Sequence, residues 1–151
     1  MPAELVIRNA RVANVFSLEY EETDVAVAQG VIVGVGPGYE GLAEFDAKGK
    51  VLIPGMIDGH FHVESSMLTP RRFAEAVVPR GTSAVMADPH EIANVWGEDG
   101  ILEMRKCSQG LPMDFFFFFF FCLPASDFET CWKPLDAAVL KAEICEALLE
   151  S

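Results

Sequence analysis

The pattern of apolar and polar positions changes near residue 50. Before it, short runs of β-type residues are separated by turn residues. Residues 24–28 and 31–35 flank Gln29-Gly30, which predicts a tight hairpin with glycine at a positive φ. Residues 5–12 form an earlier stretch of the same kind. We therefore predict that residues 1–50 form a small antiparallel β unit.

After residue 50 the pattern alternates between strands and helices. The first predicted strand, 51–53, leads into the histidines. A helix follows, capped by Thr69 with Pro70 in its first turn and stopped by Pro79 and Gly81. The remaining predicted elements are strand 82–87, helix 97–109, strand 115–122 and a helix that begins at Pro134. This order predicts an α/β fold with parallel strands joined by right-handed crossovers. Residues 51–151 fit the first three β/α units of a TIM-type (β/α)8 barrel, which is incomplete.

The chain has only three histidines, and all three fall near the predicted C-terminal ends of strands, where barrel enzymes place their catalytic groups. Because side chains alternate along a strand, Asp58, His60 and His62 should share one face. A His-x-His pair is common by chance. Here it follows Pro-Gly-x-Ile-Asp-Gly at the end of an apolar run, so we predict that His60 and His62 are metal ligands. Asp58 is expected to support an imidazole or to pack below it.

A second polar cluster, Asp88, His90 and Glu91, follows the predicted strand 82–87. An Asp-Pro turn with an incidental histidine would explain it without any function. Because polar groups at the end of a barrel strand face the site, we favour a catalytic role for these three residues, with His90 binding substrate or metal. Glu64 and Ser65 lie just beyond the first cluster. They either contact substrate or hold the strand end in place.

Charge and composition exclude several classes of partner. The net charge is −12, from 23 acidic and 11 basic residues, which argues against binding nucleic acid or an anionic membrane. The longest apolar run, residues 115–123, is far shorter than the roughly 18 residues that a membrane span requires. No signal peptide or paired-cysteine motif is evident, and we predict a cytoplasmic protein.

Two long motifs carry a family resemblance. Residues 54–70, PGMIDGHFHVESSMLTP, and residues 87–95, ADPHEIANV, resemble the adenine deaminase branch of the amidohydrolase superfamily. The resemblance covers essentially the whole chain but only the front part of that family. It implies hydrolytic deamination of adenine, a purine base, to hypoxanthine and ammonia, which is hydrolase chemistry on the C–N bond of a cyclic amidine.

The same resemblance implies further properties of the full-length enzyme. These are a binuclear divalent metal centre, with manganese or iron favoured over zinc, and a homo-oligomeric state. Residues 1–50 would be the first part of a β-sandwich that the C-terminal end of the family's chain completes. The family's remaining metal ligands and its general base lie beyond the region that these 151 residues match.

One stretch departs from the family, and two other interpretations stay open. Phe115–Phe121 replaces a mixed apolar strand, and alternation would point three or four of these rings into the barrel. The chain could belong to another amidohydrolase acting on a cyclic amide, dihydroorotase-like or imidazolonepropionase-like, although the 88–95 motif argues against this. It could also be a non-catalytic truncated remnant. With about three of eight barrel strands, the chain alone is expected to be inactive and prone to aggregation.

Overall fold

The computed structural model describes residues 2–118 and Trp132. The chain divides into two compact units, Met1–Pro54 and Gly55–Ser151. The helix predicted from Pro134, and the phenylalanine run beyond Phe118, lie outside the described residues. In the part that is described, every helix is too short or too polar to cross a membrane.

The N-terminal unit is a five-stranded sheet built around its first strand. Its strands are β1 (Ala3–Asn14), β2 (Glu19–Ala28), β3 (Val31–Val35), β4 (Gly41–Asp46) and β5 (Val51–Leu52). Strand β2 pairs antiparallel with β1 and with β3, and the predicted hairpin at Gln29-Gly30 is confirmed, with φ values of 53° and 74°. Two positive φ values in succession are the requirement of a type I′ turn, whose twist matches the flanking strands.

The prediction of a wholly antiparallel unit is wrong. Strands β4 and β5 both run parallel to β1. After β3, residues 36–40 carry the chain to the other side of β1, so that β4 starts beside the start of β1. Alternation of apolar and polar residues reports the face that a side chain occupies, but it contains no information on the direction of the neighbouring strand.

Arg8, near the middle of β1, links the strands on both sides of it. Its Nη1 donates to Asp24 Oδ2 in β2 at 2.9 Å, and its Nη2 donates to Glu44 in β4. These hydrogen bonds hold the pKa values of the Asp24 and Glu44 carboxyl groups below their usual range, and they raise the pKa of Arg8. Because these two ion pairs of Arg8 are partly exposed, they contribute little to the free energy of unfolding. Their main effect is on the register of the strands that they join.

The prediction that residues 51–53 form a buried strand leading into the histidines is also wrong. Val51 and Leu52 pair with β1 in the N-terminal unit, and the exposed fractions of Val51 and Ile53 are 47% and 55%. The histidines lie on a separate strand, β6 (Met56–Phe61), in the second unit. Pro54 lies between the two strands, and a proline interrupts pairing because it has no backbone N–H to donate.

The second unit has a parallel three-stranded sheet in the order β6, β7 (Thr82–Ala87) and β8 (Asp114–Phe117), which confirms the predicted parallel arrangement for these strands. Helix α1 (Pro70–Val77) connects β6 to β7. Thr69 caps it by accepting from the Arg72 amide, and the chain leaves through a 3₁₀ turn that ends at Gly81, where φ is 99°. The predicted start and stop of this helix are therefore confirmed.

Two helices, α2 (His90–Trp96) and α3 (Glu98–Ser108), connect β7 to β8. The second matches the helix predicted over residues 97–109, but α2 was not predicted. Seven residues give only two turns of periodicity, and the preceding Asp88-Pro89 is typical of a turn. His90 therefore begins a helix, and does not stand at the end of a strand as expected.

The core of the second unit lies on one face of the sheet. It is formed by Val63, Phe73, Ala74, Val85, Ala87 and Met113, with Phe61, Phe115 and Phe117 packed against them. The rings of Phe61 and Phe73 are stacked with their centroids 4.8 Å apart. Phe116 is exposed, so the phenylalanine run alternates between faces as far as the structure describes it.

Gly100 in α3 allows α2 and α3 to approach closely. A methyl group on Gly100 would lie 2.9 Å from Ile92 Cγ1 and 3.0 Å from the Ile92 carbonyl oxygen. The carbonyl oxygen cannot move without moving the backbone of α2. We expect Gly100→Ala to lower the thermal unfolding midpoint, although alanine is favoured over glycine by about 1 kcal/mol in a helix.

Circular dichroism measures this change, with Lys106→Ala on an exposed position of the same helix as the control. The control is expected to stay within about 0.5 kcal/mol of the parent. A Gly100→Ala variant that unfolds at or above the parent's midpoint would show that the two helices are not in close contact.

Candidate metal centre

Backbone hydrogen bonds align the ends of the three parallel strands. The amide of Asp88, one residue beyond β7, donates to the Phe61 carbonyl at the end of β6, at 2.9 Å. The amide of Phe118, one residue beyond β8, donates to the Ala87 carbonyl at 2.8 Å. The sheet ladder thus continues past each strand, and the residues that follow β6 and β7 lie side by side.

Asp88 is the central residue of this edge. Its exposed fraction is only 5%, and its Oδ2 lies 3.0 Å from His90 Nδ1, 3.6 Å from His60 Nε2 and 3.8 Å from His62 Nδ1. The shortest of these contacts is a hydrogen bond from His90. All three histidines of the chain therefore surround one buried carboxylate.

Asp88 also determines which nitrogens are available for binding. His62 Nδ1 lies 3.0 Å from the Asp88 carbonyl oxygen, which can only accept a hydrogen bond. The proton of neutral His62 therefore resides on Nδ1, and Nε2 presents a lone pair. His90 donates from Nδ1 to the Asp88 carboxylate in the same way, so its Nε2 presents a lone pair that can either bind a metal or accept a proton.

Among the residues that the structure describes, two groups of side chains offer ligand atoms within 4.8 Å of one another. One consists of His60, His62 and Asp88, and the other of His62, His90 and Glu91. Ligand atoms bound to one metal at about 2.1 Å are separated by roughly 3 to 4 Å, so a small adjustment would close either group. Imidazole and carboxylate donors suit divalent first-row metals, and the residues present therefore fit such an ion.

The remaining predicted site residues contact protein atoms. Glu64 Oε1 accepts a hydrogen bond from the Ile92 amide at 3.2 Å, and Ser65 Oγ donates to Glu91. Asp58 Oδ1 accepts a hydrogen bond from the His60 backbone amide at 3.2 Å. Asp58 therefore supports the backbone at His60, whereas support of an imidazole ring was expected. The contacts of Glu64 and Ser65 correspond to the alternative in which these residues hold the strand end in place.

Phe118 is a neighbour of the site that sequence reasoning did not identify. Its ring centroid lies 5.9 Å from that of His60, whose ring is 5.0 Å from His62 on the other side. The alternation of the phenylalanine run indicates which face Phe118 occupies: it shares a face with Phe116 and not with the core residues Phe115 and Phe117. What was missing was the register of β8 against β7.

Comparison with known proteins shows the family of this chain. The sequence profile of the amidohydrolase family matches residues 51–148. The chain belongs to the amidohydrolase family. It is 50% identical over 136 residues to an adenine deaminase of Oceanobacillus iheyensis, covering 90% of this chain and 23% of that protein. It is 46% identical over 149 residues to an adenine deaminase of Clostridium acetobutylicum, covering 99% of this chain and 25% of that protein.

The sequence resemblance to adenine deaminases is therefore confirmed, and the chain spans about a quarter of the length of these relatives. A solved structure, N-acyl-D-glutamate deacylase from Bordetella bronchiseptica with zinc and a phosphonate inhibitor, is similar over 58% of this chain and 19% of its own. The TM-score is 0.46 at 20% identity. That similarity is too distant to support a conclusion about the site.

His62 belongs to both groups of candidate ligands, whereas His60 and His90 belong to one each. We therefore expect His62→Ala to weaken Mn²⁺ or Co²⁺ binding more than either His60→Ala or His90→Ala. The expected loss is at least tenfold, since even indirect partners of a metal contribute 10- to 100-fold to affinity.

Equilibrium titration of the purified chain measures these affinities. Glu75→Ala, an exposed carboxylate on α1 paired with Arg72, is the control for charge and is expected to bind as the parent does. If His60→Ala and His90→Ala each weaken binding as much as His62→Ala, the shared-ligand arrangement is wrong.

Proposed function

We propose that this chain contributes the first part of the metal centre of an enzyme that deaminates adenine to hypoxanthine and ammonia. The observation that carries the proposal is the convergence of His60, His62 and His90 on Asp88 at the ends of two parallel strands. The reaction is inferred from relatives that are 45% to 50% identical to this chain and are named adenine deaminases. The substrate is a small purine base.

A divalent metal bound by His60 and His62 would lower the pKa of a bound water and so supply a nucleophile near neutral pH. The chain's own groups hold and move protons around that position. Asp88 keeps a proton on His62 Nδ1 through its carbonyl and on His90 Nδ1 through its carboxylate. The Asp88 carboxylate orients the His90 ring through Nδ1, so that the lone pair on His90 Nε2 can accept a proton and return it.

Glu91 and His90 lie together in the first turn of α2 and face the same site. The Ser65 hydroxyl donates to Glu91 Oε1, which fixes the orientation of that carboxylate as an acceptor. We assign Asp88, His90 and Glu91 to proton transfer and substrate orientation. Substrate contact by Glu64 or Ser65 stays a prediction.

The finer features of the fold and the centre belong to the same proposal. The parallel sheet is interpreted as the first three strands of a (β/α)8 barrel, because the candidate ligands lie at the C-terminal strand ends. The N-terminal sheet is interpreted as part of a β-sandwich. The binuclear centre stays a prediction, and the mixed nitrogen and oxygen donors are compatible with manganese or iron. Cytoplasmic location and homo-oligomerisation stay predictions.

A chimaera tests the proposal directly. The matching segment of the Oceanobacillus iheyensis adenine deaminase, 136 residues long, is replaced by the corresponding residues of this chain. We expect the purified, Mn²⁺-supplied chimaera to release ammonia from adenine. The His60→Ala/His62→Ala double variant is expected to release none, because it lacks two of the ligands.

Lys106→Ala in the same chimaera is the control for substitution as such, and dihydroorotate is the control substrate for cyclic-amide hydrolysis. The 151-residue chain by itself is expected to be inactive. A soluble, metal-containing chimaera that hydrolyses dihydroorotate, or that leaves adenine unchanged, would contradict the proposal.

A further inference from the structure

The start of α2 is capped by a side chain from the segment that follows β6. Pro89 is the N-cap of α2, so the first regular hydrogen bond of the helix runs from the Ala93 amide to the Pro89 carbonyl, at 3.0 Å. The Ile92 amide, in the first turn, has no partner within the helix, and it donates to Glu64 Oε1 at 3.2 Å. The Asp88 carbonyl, one residue before the N-cap, accepts from His62 Nδ1 at 3.0 Å.

Two side chains thus satisfy backbone groups on either side of the N-cap. Both side chains come from the segment that follows β6, in which His62 and Glu64 are two residues apart. Because Glu64 holds the Ile92 amide and His62 holds the Asp88 carbonyl, the two hydrogen bonds dock the same stretch of backbone, residues 88–92, on that segment. The Glu64 bond is partly buried, so water competes with it only weakly.

A second contact joins the same two segments. Ser65 Oγ donates to Glu91 Oε1, next to Ile92 in the first turn of α2. Glu64 and Ser65 thus hold two consecutive residues of that turn, while Ser66 Oγ turns back to the Val63 carbonyl. The two contacts fix the helix start against the strand end in both distance and rotation.

We propose that Glu64 is a positioning residue for His62: by accepting from the Ile92 amide it fixes the first turn of α2, and with it the Asp88 carbonyl to which His62 Nδ1 donates. His62 then keeps the tautomer and ring orientation that present Nε2 to a cation. The inference rests on the proposed function only for the identity of that cation. The arrangement of hydrogen bonds is a property of the chain itself.

The test compares Glu64→Ala, which removes the acceptor, with Glu64→Gln, which keeps an acceptor oxygen without the charge. Glu75→Ala on α1 is the control for losing a carboxylate elsewhere in the unit. In the 151-residue chain, the amide exchange rate of Ile92 and the imidazole ¹⁵N shifts of His62 are measured by NMR. Mn²⁺ affinity is measured on the same samples.

We expect Glu64→Ala to accelerate exchange at Ile92, to shift the His62 ring nitrogens toward a mixture of tautomers, and to weaken Mn²⁺ binding by about tenfold or more. Glu64→Gln should restore all three, and Glu75→Ala should change none. A role confined to capping α2 would alter Ile92 and leave the His62 ring unchanged, which would overturn the proposal.

The outcomes separate this inference from the proposed function. If the parent chain binds Mn²⁺ and Glu64→Ala binds it equally well, positioning by Glu64 is wrong while the metal centre stands. If the parent binds no Mn²⁺, the metal centre is wrong. The His62 shifts in Glu64→Ala then decide the role of Glu64 without reference to a metal.

Discussion

A carboxylate with an exposed fraction of only 5% has lost most of its water, and its charge must be compensated by neighbouring groups. Asp88 meets this requirement by facing nitrogen atoms of three imidazoles within 3.8 Å. Its carbonyl accepts a further hydrogen bond from one of them. The arrangement that compensates the buried charge is therefore the same arrangement that gathers nitrogen and oxygen donors around one position.

The packing of the second unit places Asp88 there. Phe61 is drawn into the core by its stacking on Phe73, and alternation then directs His60 to the opposite face. The bond from the Asp88 amide to the Phe61 carbonyl fixes the register between the two strand ends. The close approach of Gly100 to Ile92 sets the position of α2, the helix that His90 begins. The site thus depends on core contacts that carry no chemistry of their own.

Sequence reasoning identified features that a local pattern determines. The shared face of His60 and His62, the cap at Thr69 and the parallel strand order all follow from periodicity or from a capping rule. Sequence reasoning failed for features that depend on contacts with residues distant in the chain. Val51 is exposed on a strand that pairs with β1, and α2 depends on Glu64 to accept from a backbone amide, neither of which a residue pattern reports. Short helices and strand directions are fixed by tertiary contacts, and the role of each polar side chain depends on them.

The function proposed for the site requires that the imidazoles around Asp88 bind a divalent metal. X-ray absorption at the manganese edge of the Mn²⁺-loaded chain measures the ligands directly, since imidazole rings give a characteristic outer-shell scattering. We expect at least two imidazole nitrogens among the ligands, together with carboxylate oxygen, and loss of the imidazole scattering in the His60→Ala/His62→Ala variant. A coordination shell of oxygen atoms alone in the parent chain would show that the imidazoles do not bind the metal.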